Sequence, residues 1–148
     1  MFPGFQFRET MRGAYHMLDA PTEERRIEFT VDVSTKDVRK FLVDRIWKIE
    51  GTIDVDGIAR ARPLKGSLGF RLLDERRLPY RFTFVGDDGK TYEFAGQKDW
   101  SPLAPVETME VLPATLYEGG KEVGRATLRF DARNDLVSFL RSFRLKFG

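Results

Sequence analysis

The sequence predicts a mainly β protein, an antiparallel barrel or sandwich with two short peripheral helices near residues 35–43 and 134–143. Three observations favour this fold class. In several segments apolar and polar residues alternate with a period of two, as half-buried strands do. Gly- and Asp-containing turn sequences separate these segments. The chain also contains 13 Phe residues, and so many large apolar side chains indicate a packed core.

Length and composition indicate one β-rich domain over residues 1–148. At this size roughly 70% of the unfolded surface can be buried, so the fold needs no disulfide or metal for stability. The chain has 41% hydrophobic and 32% charged residues, as ordinary globular proteins do. Its 25 Lys and Arg residues nearly balance 23 Asp and Glu residues, and this balance argues against nucleic-acid binding.

The location that the sequence favours is the cytoplasm. The absence of Cys excludes disulfides, thiolate metal ligands and a Cys nucleophile, and it suits a reducing compartment. Residues 1–10 lack the basic and apolar segments of a signal peptide, so none is expected. Apolar runs are far shorter than the roughly 20 residues of a membrane-spanning helix, and membrane contact would be peripheral at most.

The first third of the chain predicts two strands and then a helix. Residues 5–11 alternate, except that Glu9 stands where the pattern expects an apolar residue. After a loop over residues 19–24, residues 27–33 alternate cleanly and predict a strand. Ser34 and Asp37 then approximate a helix cap, and apolar residues follow at helical spacing. Residues 47–55 return to a period of two and end at an Asp-Gly turn.

The hairpin over residues 80–96 has the clearest signal, because two alternating aromatic strands meet at an Asp-Asp-Gly sequence. In one register Gly89 takes the left-handed conformation of a three-residue loop with a bulge. This register creates the cross-strand pairs Phe84–Tyr92 and Phe82–Phe94. A two-residue turn would instead place Phe84 opposite Glu93. The first register is preferred because it collects the aromatic residues on one face.

The last third of the chain predicts a second hairpin, a helix and a final alternating segment. The hairpin covers residues 108–130 and turns near Gly119 and Gly120, with its register left open. Apolar residues at helical spacing follow over 134–143. The stretch LRFDARNDLVSFL echoes the earlier FTVDVSTKDVRKFL, each reading as a strand, an acidic turn and a helix. This echo suggests an internal pseudo-repeat, and shared capping chemistry is the alternative explanation.

Few residues carry recognisable chemistry. His16 is the sole histidine, so neither a zinc site nor a hydrolytic triad can be assembled around it, and it is expected to be a structural or surface residue. No G-x-G-x-x-G or P-loop sequence occurs, and the Asp-rich turns lack the later ligands of a calcium loop. We therefore assign no catalytic residue, no metal and no cofactor.

The candidate ligand-binding residues lie on and just after the aromatic hairpin. They are Phe82, Phe84, Tyr92, Phe94, Lys98 and Trp100. Residues 96–100, GQKDW, place a cation, an acid and a large ring at the end of an aromatic strand, which could bind a polar group at the mouth of a barrel. The simpler interpretation is a strand end with a solvated Lys98–Asp99 pair and a Trp on the rim.

Several short motifs occur in a recognisable order. They are F-x-E-x-M-x-G at Phe7 to Gly13, G-x-I at Gly51, Tyr-Arg-Phe at Tyr80, G-x-K at Gly96 and a closing Phe-Leu-x-x-Phe-Arg. This order resembles an accessory β region of some bacterial cholesterol-oxidase-like flavoenzymes of the glucose-methanol-choline group. The resemblance implies a lipid- or sterol-linked setting and a partner oxidoreductase. The chain lacks a flavin domain, and only VETM at 106–109 stands where those relatives carry a longer segment.

Three functions are compatible with these observations. The first is a non-catalytic barrel, lipocalin-like in general form, that holds an apolar ligand such as a lipid or sterol. The second is a protein-interaction module that docks through a strand edge or through the basic carboxyl-terminal face. The third is a lipid-directed enzyme that uses carboxylates and Lys98. It is the least favoured, because no nucleophile and base can be paired from spacing.

Overall fold

The structure, a computed structural model, describes residues 4–35, 37, 39, 45–69, 76–99, 101, 103, 110–130, 141–142 and 144–146. Strands account for most of these residues. Their bounds are β1 (Gly4–Met17), β2 (Arg25–Thr35), β3 (Ile46–Val55), β4 (Ala59–Gly69), β5 (Arg77–Val85), β6 (Thr91–Asp99), β7 (Val111–Glu118), β8 (Lys121–Arg129) and β9 (Arg144–Lys146).

The strands β1 to β8 form a closed antiparallel barrel. Each strand pairs with the next along the chain, and β1 pairs with both β2 and β8, which closes the sheet on itself. The short β9 adds beside the start of β1. The structure therefore confirms the mainly β prediction and favours the barrel over the sandwich. The helices predicted near 35–43 and 134–143 fall mostly outside the described residues.

The two ends of the barrel differ in their connections. At the end that we call the turn end, short connections span residues 18–24, 56–58, 86–90 and 119–120. At the opposite end, the loop end, the connections span residues 36–45, 70–76 and 100–110. Most residues of these loop-end connections lie outside the described part of the chain.

The register predicted for the aromatic hairpin is confirmed. The Cα partners in β5 and β6 include the pairs Phe82–Phe94 and Phe84–Tyr92. Gly89 has a φ of 79°, in the left-handed region that favours glycine. Its N–H donates to the Gly86 carbonyl at 3.0 Å, which closes a three-residue loop with a bulge. The second hairpin, whose register was open, pairs Glu118 with Lys121 around a two-residue Gly-Gly turn.

The strand β4 was not predicted, and a β-bulge explains why. Arg60 and Ala61 together oppose the single residue Asp54 of β3, and Ala61 has a φ of 48°. The bulge shifts the alternation, so the buried residues Ala59 and Leu64 are five positions apart instead of an even number. A search for a period of two therefore finds no strand in this stretch.

Three glycines sit where neighbouring strands of the barrel wall lie too close together for a side chain. A Cβ atom on Gly13 or Gly51 would lie 1.9 Å from a carbonyl oxygen of the neighbouring strand, and one on Gly66 would lie 2.0 Å away. Each oxygen belongs to the backbone and cannot move aside without disturbing the sheet. We call these positions the glycine bends. They let the sheet coil tightly enough to close with only eight strands.

Candidate functional site

Four of the predicted ligand-binding residues form a packed aromatic layer in the interior. Phe82 stacks on Phe94 with ring centroids 4.4 Å apart, and Phe84 stacks on Tyr92 at 5.5 Å. Phe29, from β2, packs its edge against both Phe82 and Phe94. All five side chains are buried. The rings thus fill the interior with one another, and their role in binding a ligand stays a prediction.

A second group of inward-facing residues is polar. Glu9 of β1, Tyr80 of β5 and Lys98 of β6 all point into the barrel, where they are 7%, 2% and 4% exposed. We call them the polar trio. Among the residues that the structure describes, Glu9 and Lys98 are the buried charged side chains. An ion pair is thus enclosed by an otherwise apolar interior.

Contacts within the polar trio cross the interior of the barrel. The Tyr80 hydroxyl donates to Oε1 of Glu9 at 2.7 Å. The Lys98 ammonium donates to Oε2 of Glu9 at 3.4 Å, and its Nζ lies 5.2 Å from the centroid of the Tyr80 ring. Because β1 and β5 lie on opposite sides of the barrel, these contacts join two walls that share no backbone hydrogen bond.

The protonation state of Tyr80 restricts what the trio can do chemically. Burial raises the pKa of Tyr80 well above its ordinary value of 10.0, and the neighbouring Glu9 carboxylate raises it further. The phenol is therefore protonated at neutral pH and acts as a hydrogen-bond donor. A general base would need a pKa much nearer to neutrality.

The trio lies nearer the loop end than the aromatic layer does. Tyr80 and Lys98 occupy the loop-end portions of β5 and β6, where Lys98 is the Cα partner of Leu78. Side chains at this level are slightly accessible, with Phe7 at 6% and Leu78 at 7%. Phe94, in the aromatic layer, has no exposed area. Tyr92, also in the aromatic layer, is 5% exposed, so both levels of the interior are similarly enclosed.

The prediction of a solvated Lys98–Asp99 pair is wrong. Lys98 points inward to Glu9, whereas Asp99 points outward and accepts a hydrogen bond from Gln97 at 2.8 Å. Strand alternation explains the difference, because neighbours on a strand face opposite sides of the sheet. Of the six candidate ligand-binding residues, Lys98 lies in the polar trio and the four aromatic residues of the hairpin lie in the aromatic layer. Trp100 lies outside the described residues.

Sequence reasoning missed Glu9 and Tyr80 as site residues. A signal for Glu9 was present, because an acidic residue interrupted an apolar alternation at a position that faces the interior. Tyr80 carried no such signal, since a Tyr in an aromatic strand fits a simple core role equally well.

Other polar features of the described residues do not form a comparable site. His16 lies on the outer face of β1, in an open groove that extends over β5 to β8. Three arginines of this groove are already paired with carboxylates, in the ion pairs Arg12–Glu28, Arg81–Glu93 and Arg125–Glu122. Within the described ranges, no cluster of three His, Asp or Glu residues could hold a metal ion.

Comparisons with known proteins add little to this geometry. No protein-family model matches the chain, and no curated protein matches it. A solved structure that the chain resembles is a de novo designed fluorescence-activating β-barrel, at 17% sequence identity and a TM-score of 0.45. The alignment covers 83% of this chain and 92% of the design. Over the residues that can be described, no helix is long and apolar enough to span a membrane. The strand pairing itself establishes that this chain forms a closed antiparallel β-barrel.

Proposed function

We propose that the protein is a non-catalytic barrel that binds an apolar small molecule, such as a lipid or sterol, with the polar group of the ligand at the polar trio. The observation that supports this is the Glu9–Lys98 pair enclosed by apolar side chains. Replacing a buried ion pair with apolar residues is often neutral or stabilising. A contribution to stability therefore explains the presence of this buried pair poorly, and recognition of a ligand explains it better.

Binding suits the trio better than catalysis does. The Tyr80 hydroxyl is held as a donor, and both oxygens of the Glu9 carboxylate already accept a hydrogen bond. Neither group is arranged as a nucleophile beside a base.

A first experiment looks for a ligand carried through purification. The protein is purified without detergent, measured by native mass spectrometry and extracted with solvent to identify any released molecule. Titration with the fluorescent sterol dehydroergosterol follows. We expect a stoichiometric apolar adduct or saturable binding of the sterol. A bare mass together with no binding of dehydroergosterol would contradict the proposal.

Two variants test whether the trio is the binding site. Lys98→Met removes the buried ammonium and should weaken binding by about tenfold, the effect of losing one hydrogen bond to a charged group. Arg8→Met is the matched control, because Arg8 pairs with Asp32 at 3.0 Å on the exposed face of β1. This control should bind as the wild type does. Equal affinities for all three proteins would place the ligand elsewhere.

An interaction module is the alternative function. Ile46 and Leu145 are large apolar residues exposed at the loop end, where a partner protein or a membrane surface could cover them. A partner oxidoreductase and peripheral membrane contact stay predictions from the sequence. Failure of both ligand experiments would favour this alternative.

A further inference from the structure

From the unused hydrogen-bonding capacity of the polar trio, we infer that the barrel selects an uncharged apolar alcohol over the corresponding carboxylate. This inference rests on the proposed function and names the chemical class of its ligand. The trio would take the ligand hydroxyl beside the Lys98–Glu9 pair, and the negative charge of Glu9 would disfavour anions.

Lys98 has unused donors. An ammonium group carries three N–H donors. One of them reaches Oε2 of Glu9 at the long distance of 3.4 Å, and the charge also lies near the face of the Tyr80 ring. Among the residues that the structure describes, no second acceptor forms a hydrogen bond with the Lys98 ammonium. A buried ammonium gains from another acceptor, because unfilled N–H donors in an apolar interior carry a desolvation penalty.

Glu9 has unused acceptor sites. Its two oxygens each accept one hydrogen bond, from Tyr80 and from Lys98. An ionised carboxylate offers about four lone-pair positions, so it can accept from a further donor. A hydroxyl is the simplest ligand group that matches both neighbours, since its oxygen accepts from Lys98 while its hydrogen is donated to Glu9. An ester or ketone can satisfy only the first of these contacts.

The charge of the interior disfavours an anion. Glu9 and Lys98 are the charged side chains buried in the part of the barrel that is described, and their formal charges cancel. A ligand carboxylate would add a second negative charge close to Glu9. In a site of low effective dielectric constant, repulsion between like charges is weakly screened. Because Glu9 already neutralises Lys98, a ligand anion would be a third buried charge without a cation of its own, and burying an unpaired charge costs much more than burying a hydroxyl.

Three probes with the same tetraene tail test this selectivity at neutral pH: cis-parinaryl alcohol, methyl cis-parinarate and cis-parinaric acid. Fluorescence titration of the wild-type protein measures each dissociation constant. We expect the alcohol to bind tightest, the ester less tightly, and the acid at least about tenfold more weakly than the alcohol. Equal binding, or preference for the acid, would overturn the inference and leave the proposed function standing. If none of the three probes binds although dehydroergosterol does, the inference alone is overturned; if the sterol, the three probes and any co-purified ligand are all absent from the protein, the proposed function fails as well.

The variant Glu9→Gln should reverse the preference. It removes the negative charge, leaves Lys98 cationic and retains an acceptor for Tyr80. We expect the acid to bind at least about tenfold more tightly than to the wild type and to overtake the alcohol. The matched control is Asp32→Asn, which removes one negative charge from the outer face of β2 and should leave the wild-type order unchanged. Thermal melting verifies folding of both variants. Unchanged selectivity in a folded Glu9→Gln protein would also overturn the inference.

Discussion

The aromatic layer and the polar trio lie on the same strands and face the same interior, yet they differ in what they contribute. Phe82 follows Tyr80 by two positions on β5, and Phe94 precedes Lys98 by four on β6, so all four side chains point inward. In the layer every inward side chain is an aromatic ring that contacts other rings, and its one hydroxyl, on Tyr92, donates to Asp88 at 2.9 Å. In the trio, the inward side chains carry a desolvated charge pair.

This difference predicts that the aromatic layer and the polar trio contribute differently to stability. Burial of a Phe side chain stabilises a fold by about 1.5–3 kcal/mol, and ring contacts add to this. A buried ion pair contributes close to nothing net, although breaking it is costly. The aromatic layer is therefore expected to contribute more to stability than the trio does, and under the proposed function the trio contributes to recognition of the ligand. Three sets of variants can test this division, and each compares the two regions directly.

The largest effect is expected in the aromatic layer. Phe94→Ala removes a fully buried ring that stacks on Phe82 at 4.4 Å, and it should lower the free energy of unfolding by about 3–5 kcal/mol. Urea denaturation followed by circular dichroism measures this change. The control Val85→Ala, at an exposed position on β5, should change it by less than about 1 kcal/mol. Similar losses for both variants would show that the layer does not dominate stability.

The next effect concerns the ion pair. Lys98→Met leaves the Glu9 carboxylate buried without its cation and should cost about 3 kcal/mol of unfolding free energy. The double variant Glu9→Gln/Lys98→Met removes both charges, so it should recover most of that loss. Urea denaturation of the two single variants and the double variant gives the coupling energy. Losses that simply add would mean that Glu9 and Lys98 do not stabilise each other.

The smallest effect concerns Tyr80 and depends on pH. Because its pKa is raised in the folded state, Tyr80 contributes its full stabilisation below about pH 10, the unfolded value, and loses it as pH rises further. Tyr80→Phe should cost about 2 kcal/mol near neutral pH, the value of one hydrogen bond to a charged group. Above about pH 10 the difference from the wild type should shrink. Urea denaturation of both proteins at several pH values above neutrality measures the difference in unfolding free energy. A difference that does not change with pH would contradict a raised pKa for Tyr80.

Strand pattern and turn chemistry were enough to predict most of the barrel. The register of the aromatic hairpin followed from Gly89 and from the placement of four aromatic residues on one face, both of which are local features. The strand β4 was not predicted because its bulge breaks the alternation of apolar and polar residues at Ala61. The polar trio was not predicted for a different reason. Glu9 and Lys98 are 89 positions apart, and no local pattern shows that barrel closure brings them together.

The glycine bends offer a way to find distant relatives of this protein. A side chain at Gly13, Gly51 or Gly66 would overlap a backbone oxygen of the next strand, so any chain that copies this wall must retain glycine there. Most other wall positions need only be apolar inside and polar outside, which many residues satisfy. A search profile that weights these three glycines, together with the acid, phenol and amine of the trio, should therefore detect homologues that overall sequence identity misses.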